Sequence, residues 1–202
     1  MNLLSILQQL KYLRSTAAAR YGDGLGGVAC HVYYSLLRVN TFHIYLASLA
    51  SLEEKIFDLR GVTFISPSID ELDKLRSEGR HPRELFADQF CKAHQCLVAV
   101  VEGEIAYIHW IFRRGDHSRF LDCADDSAEI NYVLTLPKFR GRGISAAALH
   151  HSLQSLGKQG VVNAYAVIHS QNIASAKSFV RAGFVKYGKI VSVGPFNRKR
   201  SV

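Results

Sequence analysis

The amino-acid sequence predicts an α/β domain, and three observations carry that expectation. From Gly61 onward, short apolar runs of strand character alternate with segments whose apolar residues recur at helical spacing. A glycine-punctuated basic turn within Val133 to Ala146 (VLTLPKFRGRGISA) joins one such run to one such helix. The chain's 202 residues, 48% hydrophobic and 21% charged, suffice for one well-buried domain with a small appendage.

Taken in order, Leu3, Ile6, Leu7, Leu10 and Leu13 recur at helical spacing and predict an amphipathic helix to Arg20. Tyr21 to Gly27 (YGDGLGG) reads as a glycine-rich break. His31 to Arg38 can continue as helix, whereas Thr41 to Leu46 has strand character. Residues 1–60 are therefore expected as an N-terminal extension, and 61–202 as the main domain with a basic tail. Val62 to Ile65 reads as a strand. Ser68 with Glu71 forms a capping-box pattern opening a helix through Leu75. Pro82 suits the first turn of the next helix, which carries Leu85, Phe86 and Phe90 toward a core. Cys96 to Val101 and Ile105 to Phe112 form a hairpin around Glu102-Gly103-Glu104. Arg113 to Asp126 reads as a loop and Ala128 to Leu136 as a long strand stopped by Pro137. Leu149, Leu153 and Leu156 mark a helix ending near Gly157 or Gly160; Val161 to Ile168 is strand. Asn172 caps a short helix running to Ala182 and stopped by Gly183, and Val185 to Val193 is the last strand.

The formal net charge is +8, and Lys177 to Val202 holds seven Lys or Arg and no acid. Such an excess suits an anionic ligand, an acidic partner or a membrane surface. No helix-turn-helix, zinc-finger or aromatic RNA-binding signature accompanies it, so no nucleic-acid partner is expected. No apolar stretch reaches the ~18 residues of a membrane span. No basic residue precedes Lys11 and no small-residue cleavage site follows, so no signal peptide is expected. A cytoplasmic location is expected, with peripheral membrane contact through the first helix as the variant. Cys30, Cys91, Cys96 and Cys123 form no CxxC pair and the histidines are scattered, so no metal site is expected.

The basic turn is the first candidate site. Gly141 and Gly143 let backbone approach a ligand without Cβ obstruction. The amides opening the next helix lack intrahelical partners and suit an anion, with Arg140 and Arg142 adding charge beside them.

This order and these motifs resemble the GNAT superfamily of acyl-CoA-dependent N-acyltransferases over Gly61 to Val193, with no subfamily assigned. The family's Arg/Gln-x-x-Gly-x-Gly/Ala pyrophosphate loop is matched by Arg140, Gly143 and, as a departure, Ser145. Its Asn-x-x-Ser/Ala-x-x-x-Tyr-x-x-x-Gly-Phe motif is matched by Asn172, Ser175, Gly183 and Phe184, with Phe179 where the tyrosine stands. The resemblance implies a GNAT fold, a mixed sheet of about six to seven strands with helices on both faces. It also implies acetyl-CoA as co-substrate, bound by Val133, Leu134 and Thr135 along the pantetheine arm, which enters where this strand splays from the next. Arg140, Gly141, Arg142, Gly143, Ile144, Ser145 and Ala146 would hold the pyrophosphate, with Asn172 and Phe179 contributing from the second motif.

The implied reaction is direct attack of an amine on the thioester in a ternary complex, and the residues suggest roles. Glu129 stands four residues before Val133 on one strand, so alternation puts both side chains on one face and makes Glu129 the candidate base. His109, beside Trp110 on the preceding strand, and His117 in the loop are alternatives. By resemblance the Val133 amide is the oxyanion donor. Phe179 has no proton for the leaving thiolate, which leaves Tyr132, Tyr165 or water to serve. Val167 stands where ribosomal-protein acetyltransferases carry glutamate, which argues against that substrate. Longer acyl transfer from acyl-CoA or an acyl carrier protein, and a non-catalytic CoA-binding module, are the alternatives. The acceptor and the oligomeric state are left open.

Overall fold

A computed structural model describes residues 39–76, 81–91, 93–193 and 200–202, together with Gly26, Ala29 and Tyr33. The chain divides into two units, Phe42–Ile190 with Arg198–Val202, and Met1–Thr41 with Val191–Asn197. In the second unit Gly26 is helical, which corrects at that residue the break expected over 21–27; an interior glycine costs a helix only about 1 kcal/mol against alanine. The amphipathic helix expected over Leu3 to Arg20 lies outside the described residues.

The larger unit is built on a seven-stranded mixed sheet. Its strands are β1 (Val39–Ser48), β2 (Val62–Ile65), β3 (Gln95–Val101), β4 (Glu104–Phe112), β6 (Ser127–Thr135), β7 (Asn163–His169) and β8 (Val185–Val193). The spatial order is β2-β3-β4-β6-β7-β1-β8. The sheet thus takes in β1, upstream of Gly61, between β7 and β8. The loop read at Arg113 to Asp126 contains β5 (Leu121–Asp122), which pairs in parallel with β9 (Arg200–Ser201). Buried Phe120 and Leu121 explain that departure, since they anchor an otherwise polar segment.

Helices cover both faces. On one lie α1 (Ile69–Leu75), a 3-10 turn (Arg83–Phe86) and α2 (Ala87–Cys91), placing Leu72, Leu85 and Cys91 against Val98, Ile108, Trp110 and Phe112. On the other lie α3 (Ile144–Lys158) and α4 (Ile173–Ala182), placing Leu149, Leu153 and Phe179 against Ile130, Ala164 and Ala166. The capping box of α1 is formed, with Ser68 Oγ accepting from the Glu71 amide and Glu71 accepting from the Ser68 amide. The β3–β4 turn needs left-handed backbone twice, at Glu102 (φ 51°) and Gly103 (φ 81°), as a two-residue hairpin loop does.

The single helix expected after Pro82 is instead a 3-10 turn followed by a short α-helix, and Phe90 stays 36% exposed beneath the Arg83 guanidinium, 4.3 Å above its ring. Buried polar anchors hold this segment down. Arg76, 6% exposed, donates to both oxygens of Asp88 at 2.9 Å and to the Leu85 carbonyl at 2.8 Å. The Trp110 indole donates to the Glu84 carbonyl at 2.7 Å.

Arg76→Ala should therefore lower the unfolding free energy by about 3–5 kcal/mol, because Asp88 is left buried and unpaired. A denaturant midpoint shifted by less than 1 kcal/mol equivalent would show that the segment is held by its apolar contacts alone.

Candidate functional site

The site begins where two strands part. β6 and β7 pair in parallel at Ser127↔Asn163, Ala128↔Ala164 and Glu129↔Tyr165. Beyond that register β6 continues to Thr135 and β7 to His169, so a wedge separates them. A β-bulge sits at the same point. On the β4 side the register runs from Trp110↔Asn131 to Ile108↔Leu134, so Tyr132 and Val133 together stand opposite His109. Tyr132 takes φ 48°, a left-handed conformation that costs a non-glycine residue about 1–2 kcal/mol. Local bonds stabilise it: the Tyr132 amide donates to Asn131 Oδ1 at 2.8 Å, and Asn131 Nδ2 donates to Glu129 Oε1 at 3.0 Å. Ser118 Oγ donates to Glu129 Oε2.

The bulge corrects the alternation argument for Glu129. Glu129 pairs with Phe112 and shares the α1–α2 face, whereas Val133 packs with Ile130 on the α3–α4 face. The extra residue reverses the parity, so the two side chains point to opposite faces. Glu129 is 0% exposed and lines neither cavity described below. His109 is likewise 0% exposed, on the α3 side of β4, and His117 is on the loop surface at a distance from the wedge lining.

After β6 the chain makes a short turn at Pro137–Phe139 and enters α3 through Gly141 and Gly143, both at φ 79°. The first bond of α3 runs from the Ala147 amide to the Gly143 carbonyl, so the amides before it have no helical partner. Phe139, buried, supports the turn, and the Arg142 guanidinium lies 5.9 Å from its ring centre. Arg140 Nε donates to the Thr135 carbonyl at 3.1 Å, tying the turn to the strand end. Arg181, from the end of α4, adds charge that sequence reading missed, its guanidinium 3.5 Å from where a Cβ on Gly143 would stand.

Two cavities meet along this path. One of about 370 Å³ is lined by Val133, Leu134, Thr135, Arg140, Gly141, Gly143, Ile144, Ser145 and Asn172. Phe139, Ala174, Ser175 and Ser178 complete it and were not singled out in the sequence. Arg142 and Ala146 are absent from this lining, and the Ala146 side chain is buried, so only its backbone faces the turn. The second cavity, about 190 Å³, occupies the wedge. It shares Val133, Asn172 and Ser175 with the first and adds Tyr132, Phe179, His169 and Glu84. Glu84, carried in from the 3-10 turn, is the one acid in that lining; nothing in its sequence neighbourhood marks it. Asn172 Oδ1 accepts from the Ser175 amide at 3.2 Å, capping α4 at the junction.

The protonation states follow from surroundings. Burial raises the Tyr132 hydroxyl pKa, and the Cys91 thiol donates to its oxygen at 3.1 Å, so the phenol keeps its own proton. His169 Nδ1 accepts from the Gln171 amide, which places the proton of a neutral ring on Nε2. Burial pushes the Cys96 and Cys123 thiols up to about 12, which makes them poor nucleophiles. Among the described residues no three His, Cys, Asp or Glu side chains are grouped to hold a metal, and no helix is long and apolar enough to cross a membrane.

Gly143→Ala separates conformation from sterics. A Cβ there makes only an ordinary contact, at 3.5 Å, so the cost should be conformational, about 1–2 kcal/mol. Gly157→Ala, inside α3 with its nearest neighbour at 3.7 Å, should instead stabilise by up to about 1 kcal/mol. Equal effects of the two in thermal unfolding would contradict the left-handed assignment.

Solved structures with this fold are acetyltransferases of one family. A GCN5-related N-acetyltransferase from Sphaerobacter thermophilus superposes with TM-score 0.55 at 16% identity over 82% of this chain and 54% of its own. A second, from Kribbella flavida, gives 0.52 at 15% identity over 82% and 62%. A GCN5-related glucosamine N-acetyltransferase region of a fungal multi-domain GH3 β-N-acetylglucosaminidase gives 0.57 at 16% identity over 84% and 23%. The chain thus spans less than two thirds of each of these structures, and at such identity the likeness is one of fold. No curated protein matches the chain in sequence. The sequence model of the Acetyltransferase (GNAT) family matches residues 56–184, more than half of the chain, which therefore belongs to the GNAT acetyltransferase family.

Proposed function

We propose that the protein transfers an acetyl group from acetyl-CoA to an amine by direct attack in a ternary complex. The observation that carries this reading is the continuity of the wedge with the helix-start cradle through Val133, Asn172 and Ser175. Backbone groups of β6 beyond Glu129 face the wedge and can pair with the amides of a pantetheine arm as an added strand. The amides opening α3, with Arg142 and Arg181 nearby, suit its phosphates. The Val133 amide, directly after the bulge, is the proposed oxyanion donor.

The base and acid are assigned by position. Glu129 acts in this reading through Asn131, holding the bulge, because it is buried on the other face from Val133. Glu84 takes the place at the wedge where an ammonium group would arrive and lose its proton. Tyr132, whose oxygen already accepts from Cys91, has its proton to offer the leaving thiolate in place of Phe179. Phe179 is 1% exposed, packed edge-on against Phe184, and forms an apolar floor. A wedge cavity of about 190 Å³ favours a short acyl group over a long chain. The apolar Phe179 equally supports a second reading, a module that binds CoA without turnover.

Acetyl-CoA and CoA should raise the unfolding temperature, with about 2.7 kcal/mol of stabilisation at a hundredfold excess over Kd. No stabilisation by either would sink the proposal. With a panel of primary amines, CoA release by Glu84→Gln should fall about 10²–10⁴-fold. CoA binding without release for any amine would favour the non-catalytic reading.

A further inference from the structure

Beneath α3 a line of polar groups crosses an otherwise apolar helix–sheet interface. Tyr107 and His109 stand two residues apart on β4 and so share a face. Ser145 and Ser152 stand two helical turns apart on α3. The Ser145 side chain hydrogen-bonds the Tyr107 phenol. Tyr107 Oη is 2.8 Å from His109 Nδ1, and His109 Nε2 is 2.8 Å from Ser152 Oγ. Tyr107 and His109 are 0% exposed and Ser152 is 1% exposed, while Ser145 also lines the larger cavity. The proposed reaction uses none of the three buried groups. Burial, together with the nearby His151, lowers the His109 pKa to about 3, so the ring is neutral at working pH.

A neutral imidazole carries one N–H, so the chain has two complete arrangements. With the proton on Nδ1, His109 donates to Tyr107, Tyr107 donates to Ser145, and the Ser145 hydrogen is released toward the cavity. Ser152 then donates to Nε2. With the proton on Nε2, every bond reverses: His109 donates to Ser152, Tyr107 to His109 and Ser145 to Tyr107. The cradle then presents only oxygen lone pairs from Ser145. Each arrangement satisfies every member, and no heavy atom has to move between them.

We propose that an anion at the start of α3 selects the first arrangement, so that His109 and Tyr107 are positioning residues that orient the Ser145 hydroxyl toward phosphate. This rests on the CoA reading of the site. The hydroxyl becomes a donor to a charged oxygen, and its proton is dictated by a ring buried under the helix.

The full chain, labelled with ¹⁵N-histidine, tests this by the imidazole nitrogen shifts of His109, assigned by their loss in His109→Gln. Saturation with CoA should give shifts of an Nδ1-protonated ring that differ from those of the free protein, and inorganic pyrophosphate should do the same. Ser145→Ala should weaken CoA binding about tenfold by calorimetry and leave the His109 shifts insensitive to CoA. Tyr107→Phe should uncouple them in the same way. If CoA binds the wild type and the His109 shifts do not change, or report Nε2 protonation, the inference is overturned while the CoA site stands. If CoA does not bind the wild type at all, the functional reading fails first and this inference falls with it.

Discussion

Three backbone pairs hold β6 against β7, and the place where they stop governs the rest of the molecule. Had the pairing run on, the parallel strands would have closed over Val133 and left the start of α3 as an ordinary helix end. The separation is made on the other side of β6, where the bulge puts two residues opposite one on β4 and bends the strand away. The bulge in turn depends on a left-handed tyrosine, which Asn131 and Glu129 hold through two hydrogen bonds. A carboxylate with no exposed surface thus shapes the wedge from behind. Leaving one of its oxygens without a partner would cost about as much as the strain it offsets.

The same economy appears around the wedge mouth. The 3-10 turn that brings Glu84 forward is irregular and short, with little helical stability of its own. Its place is set from outside by the Trp110 indole, which takes the Glu84 carbonyl, and by Arg76, which takes that of Leu85. Glu84 can therefore face the cavity on a backbone as fixed as the sheet. Against a net charge of +8, a single carboxylate in the wedge gives an incoming ammonium group one local attraction, while the guanidiniums of Arg142 and Arg181 lie at the phosphate end. The charge is segregated along one path.

What could be read in advance follows from the range of the forces involved. The bounds of β2 and β8, the capping box at Ser68 and the cap at Asn172 rest on local periodicity and on side chains bonding their own neighbours, and these were legible. The glycines at 141 and 143 were legible because positive φ leaves few alternatives. The bulge was not. Asn131 and Tyr132 look like two ordinary strand residues until Glu129 and Ser118 are placed beside them, so the parity of everything after Tyr132 was misread. Nor could the pairing of β1 with β7, or of β5 with β9, be found, since each joins segments with no local signal of their partner. Glu84, Arg181 and the Tyr107–His109 pair reached their places by tertiary packing alone.

Phe179 is where these threads meet. In the second motif it replaces a residue with a proton by one without, yet it is among the best-packed side chains in the protein. It touches the core cluster of α3, α4 and β7, edge-on to Phe184. A hydroxyl at that position would need a partner inside an apolar cluster or would have to reach into the wedge to find one. Without it the α4 side of the wedge is wholly apolar at its floor. The polar groups that remain, Tyr132 with Cys91 behind it, Asn131 and Glu84, all enter from the sheet or from the α1–α2 face. The chemistry is thereby moved to the side from which an acceptor arrives, and the α3–α4 side is left to bind and orient the donor.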